Sequence, residues 1–112
     1  MAKVKWPFGA ADSLAMTAKG DQEFTVDNNL TFINGVTVQA TGNRTLKLTA
    51  AQGLEAGARV VIHSKTNGTE TLSFSTGCTA PTITGVAGKT FGVELVYNGT
   101  SFMGVATARQ LD

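Results

Sequence analysis

Phe91-Gly92-Val93-Glu94-Leu95-Val96-Tyr97-Asn98-Gly99-Thr100-Ser101-Phe102 repeats with a period of two. Apolar side chains at 91, 93, 95 and 97 alternate with Gly92, Glu94 and Val96, and Asn98-Gly99 ends the run. Alternate residues of a strand face opposite sides, so this pattern describes a strand with one buried face and one wet face. The same period extends back to Gln22. Phe24 and Val26, Leu30 and Phe32, Val36 and Val38, Leu46 and Leu48, Val60 and Ile62, and Leu72 and Phe74 each flank a residue of the other face. Thr fills many of the wet positions, as a β-branched side chain suits a pleated surface. The expected core is Phe24, Val26, Leu30, Phe32, Leu46, Leu48, Val60, Ile62, Leu72, Phe74, Val93 and Leu95.

Asn28-Asn29, Asn34-Gly35, Asn67-Gly68 and Asn98-Gly99 separate the runs. Type I′ hairpin turns need positive φ at two successive residues, which Asn and Gly tolerate best. The expectation is an all-β fold, a compact antiparallel sandwich or barrel of about eight short hairpin-linked strands. Residues 21–112 form this domain. Residues 1–20 stand apart as an N-terminal arm, in which Ala10–Lys19 has the spacing of a short helix stopped by Gly20.

At 112 residues the chain has room for one modest core. Nine Lys and Arg against eight Asp and Glu give a net charge of +1, so no net field favours nucleic acid or an anionic membrane. A single Cys excludes an internal disulfide framework and a Cys-based metal cluster. No apolar run reaches the length of a membrane span, and no apolar stretch follows Lys3 and Lys5 as in a signal peptide.

The chemical motifs fail on spacing. Gly85-Val86-Ala87-Gly88-Lys89-Thr90 has two residues where a phosphate-binding loop needs four, and a strand follows it. His63 is the only histidine and falls on the wet face of its strand, while Cys78 reads as a small buried hydrophobe. The carboxylates fall mainly at turns and strand edges, where solvation accounts for them. No catalytic set and no cofactor is expected.

Trp6-Pro7-Phe8 lies outside the patterned region, together with Leu14 and Met16. Either these residues fold back as a plug or they anchor the chain to a partner, since aromatic side chains dominate interface hot spots. On the second reading Lys3, Lys5, Trp6, Phe8, Leu14 and Met16 are the partner-binding residues. Deleting residues 1–20 is then expected to leave a folded β-domain that no longer binds.

Gly88 to Phe102, with its Val-Tyr-Asn-Gly-Thr turn, resembles the closing hairpin of small β-domains in tailed-bacteriophage virion proteins. Leu54-Glu55-Ala56-Gly57-Ala58-Arg59-Val60 is similar to the lead-in of such domains. The resemblance covers residues 44–107. It implies a non-enzymatic capsid decoration protein, made in the host bacterial cytoplasm and placed on the capsid exterior. Its partners would be the major capsid protein and two further copies in a homotrimer, with no nucleic acid and no membrane. A tail or head-fibre module is the nearest alternative. A carbohydrate-binding module is another, with Tyr97 and Phe102 as its stacking aromatics.

Overall fold

The computed structural model describes residues 4–112, and every regular element in that range is a strand. The strands are β1 (Asp12–Ala15), β2 (Gly20–Val26), β3 (Leu30–Ala40), β4 (Arg44–Ala50), β5 (Arg59–Thr66), β6 (Thr71–Phe74), β7 (Cys78–Thr79), β8 (Ile83–Thr84), β9 (Thr90–Tyr97), β10 (Phe102–Gly104) and β11 (Arg109–Gln110). The all-β class expected from the period of two is therefore observed. The connectivity differs from the expectation. Strands β1 to β6 fall alternately into two sheets, so consecutive strands are not hydrogen-bonded to each other. The larger sheet runs β1-β3-β5-β9-β10-β7 with β11 on β9, and the smaller runs β2-β4-β6-β8.

The chain thus winds from sheet to sheet, and each turn lies parallel on the one before. β1, β3 and β5 are parallel in one sheet, and β2, β4 and β6 are parallel in the other. Only the C-terminal part closes antiparallel, through β5–β9, β9–β10, β9–β11 and β6–β8. Asn-rich turns carry the chain across to the facing sheet here, which corrects the expectation of hairpin-linked antiparallel strands. The expected hairpin at Asn98-Gly99 does form, between β9 and β10. Its loop is four residues long, with the Asn98 side chain accepting from the amides of Thr100 and Ser101, and only Gly99 has positive φ. Asn34-Gly35 is no turn at all. It lies within β3, where Asn34 Oδ1 accepts from the amides of Val36 and Thr37 and the pairing with β5 shifts register.

Both sheets contribute to one core. Val26, Leu46, Leu48 and Leu72 come from the smaller sheet, and Ile33, Val60, Ile62, Val93, Leu95 and Phe102 from the larger. Phe24 and Phe74 pack at its margin. Leu30 and Phe32, expected inside, lie on the outer face, while Thr31 and Ile33 are fully buried. A shift of one residue exchanges the faces of a strand. Here the inward face is fixed by Gly35, where a Cβ would come within 2.7 Å of the Met16 sulfur and 3.0 Å of the Arg44 guanidinium. Inward placement of 35 brings 33 and 31 with it.

Thr31 Oγ1 is buried without a hydrogen-bond partner. Thr31→Val should therefore stabilise the protein by about 1 kcal/mol, since it removes an unsatisfied hydroxyl and keeps the shape. Denaturant unfolding checks this, and a loss of stability would return Thr31 to the wet face.

Residues 12–20 belong to the β-domain. β1 pairs with β3 from Asp12↔Thr31 to Ala15↔Asn34, so the segment with helical spacing is extended. Leu14 packs against the core and Met16 is 2% exposed within it. The boundary after residue 20 is corrected accordingly. Deleting residues 1–20 would remove a strand and a core side chain and should cost the fold.

Candidate docking surface

What stands clear of the winding is the segment before β1. Its backbone is fixed by the corner between β2 and β3. Asn28 is fully buried there, and its Oδ1 accepts from the amides of Trp6 and Asn29 at 2.9 and 2.7 Å. Its Nδ2 donates to the Ala10 carbonyl at 2.9 Å, and Asn29 Nδ2 donates to the Trp6 carbonyl. A buried carboxamide with its donors and acceptors matched is costly to disturb. Lys5 O accepts from the amides of Phe8 and Gly9, making a tight loop. A Cβ at Gly9 would fall on the Val4 carbonyl, so the loop needs glycine there.

The loop is held, but its apolar side chains are not covered. Val4 is 63% exposed, Trp6 42% and Phe8 93%. Lys5 lies between them and forms an ion pair with Asp27 at 3.7 Å. Leu14 and Met16, the other two apolar residues expected at a partner, point into the protein's own core. Lys3 lies outside the described residues. Val4 is the addition, and it could have been read from its place between two lysines.

The other candidates give weaker sites. Phe102 is 1% exposed and packs on Tyr97 at 4.8 Å between ring centroids, while the Tyr97 hydroxyl donates to the Gly99 carbonyl. That pair offers no open platform for a sugar ring. Burial pushes the Cys78 thiol up, against backbone hydrogen bonds at Leu48 and Ser75, so it is a poor nucleophile at neutral pH. Among the described residues no group of His, Cys, Asp and Glu is placed to hold a metal ion. His63 lies on the outer face of β5, edge-on to Phe32 at 4.9 Å.

No protein-family model, no curated protein and no solved structure matches this chain.

Proposed function

We propose that this chain is a non-enzymatic structural protein that docks on a larger assembly through Val4, Trp6 and Phe8. The observation that carries the reading is a set of exposed apolar side chains on a backbone pinned by a buried Asn28. Isolated exposed apolar residues need no explanation, but a tryptophan and a phenylalanine held together on one loop mark an interface. A loop ordered in advance loses little conformational entropy on binding. The resemblance of the closing hairpin to tailed-phage virion domains supports the choice of assembly: a capsid exterior, decorated by a homotrimer that contacts the major capsid protein. Repetition over a shell would multiply a weak contact of this size.

The test is co-sedimentation with tailed-phage capsids stripped of accessory proteins. Wild-type chain should pellet with the shells, and Trp6→Ala/Phe8→Ala should stay in the supernatant. Both substituted side chains are exposed, so the variant should unfold within about 0.5 kcal/mol of wild type. A variant that pellets as wild type does would move docking to another surface.

A further inference from the structure

The outer face of the larger sheet contains a second unexplained feature, away from the N-terminal loop. His63 pairs with Gly92 across β5 and β9, and Arg109 pairs with the same Gly92 across β9 and β11. Directly opposed residues of antiparallel strands share a face. His63 and Arg109 therefore stand on the same side of the sheet, two strand spacings apart, roughly 10 Å between their backbones. Gly92 has no side chain of its own, and the Leu111 side chain fills the space over it, within 3.0 Å of where a Cβ at Gly92 would be. Val61, Glu94, Ala106 and Thr107 complete the cleft.

Charge separates the members of this cleft. Glu94 is bonded to Arg59 at 2.6 Å and is thereby neutralised. Neither the Arg109 guanidinium nor the His63 ring nitrogens have a hydrogen-bond or ion-pair partner among the described residues. His63 makes only its edge contact with Phe32. Both residues line one cleft, with Val61, Ala106 and Leu111 as its apolar walls.

We propose that this cleft binds a carboxylate carrying a short apolar chain, with Arg109 and His63 holding the anion and Val61, Ala106 and Leu111 packing the chain. A guanidinium matches the planar carboxylate in a two-point contact, and the His63 ring supplies one further N–H. A phosphate fits less well. Only one guanidinium is free to meet its second charge. The apolar share of the lining also suits a ligand whose charge is confined to one end.

An NMR titration of the full chain with hexanoate tests this, with 1-hexanol and inorganic phosphate as comparison ligands. Hexanoate should shift the Gly92 amide and the Val61 and Leu111 methyls in a saturable way. Arg109→Ala should weaken its binding at least about tenfold, and Arg109→Lys by less, because a lysine keeps the charge but loses the fork. Arg109 is exposed in a two-residue edge strand, so neither variant removes core packing. Equal binding of 1-hexanol, equal or tighter binding of phosphate, no saturable shift, or no effect of Arg109→Ala would each overturn the proposal.

Discussion

Replacing Arg44 by Met should lower the unfolding free energy by more than about 4 kcal/mol. Arg44 is 1% exposed, yet it has no carboxylate in ion-pair contact among the described residues. Its guanidinium is caged by the backbone instead. Nη1 donates to the carbonyls of Thr17 and Val38, and Nη2 to those of Gly35 and Lys65 and to Ser64 Oγ at 2.8 Å. Those acceptors come from the segment after β1, from β3 and from β5. One side chain of the smaller sheet thus ties together three successive passages of the chain through the larger. Burial holds the guanidinium below its ordinary value, and the charge of Glu70 partly offsets this. Methionine keeps the apolar stem but leaves buried acceptors unmatched, each at a cost of roughly 1–3 kcal/mol before relaxation. Domains of this size are stable by only about 5–15 kcal/mol. Arg44→Met should therefore lie close to global unfolding, and Arg44→Lys should recover only part of the loss. Urea or thermal unfolding measures both. A loss under about 1 kcal/mol for Arg44→Met would mean that the cage contributes nothing to the winding.

Leu95→Ala is the second large effect, expected at about 2–5 kcal/mol. Leu95 is fully buried in β9, with Val60 opposite on β5 and Gly104 opposite on β10. That places it where the parallel winding meets the antiparallel closure. Removing its branched end leaves a cavity between neighbours anchored on both sides, so collapse is restricted and the upper half of the range is expected. Chemical unfolding monitored by far-ultraviolet circular dichroism reads the change. A cost below about 0.5 kcal/mol would invert the face assignment of β9.

Side-chain alternation made most of the core legible. Val26, Leu46, Leu48, Val60, Ile62, Leu72, Val93 and Leu95 are buried as their spacing predicts. Alternation says which face a residue occupies and is silent on which strand lies beside it. Asn28-Asn29 would serve a hairpin as well as the corner it makes, so the parallel winding was not readable from turn chemistry. The β3 inversion had a local clue in Ile33, which competes with Phe32 for the inward face. Arg44 also had one. It lies two residues before Leu46 and four before Leu48, hence on the same inward face, but a guanidinium is an unusual core residue and its cage is assembled from distant segments. At the docking surface, Trp6 and Phe8 stood out by falling outside the pattern. Leu14 and Met16 shared that property for another reason, because β1 is a short strand whose partner in β3 is not adjacent in sequence.

Trp6 is the only tryptophan, which makes docking directly observable. Emission from the chain should be followed as stripped tailed-phage capsids are added, with acrylamide as quencher. A blue shift and a loss of quenching are expected that saturate with capsid and are absent when Phe8→Ala prevents docking. Co-sedimentation of the chain with Trp6 emission and quenching unchanged would contradict it, because the protein would then be bound through a surface other than this loop.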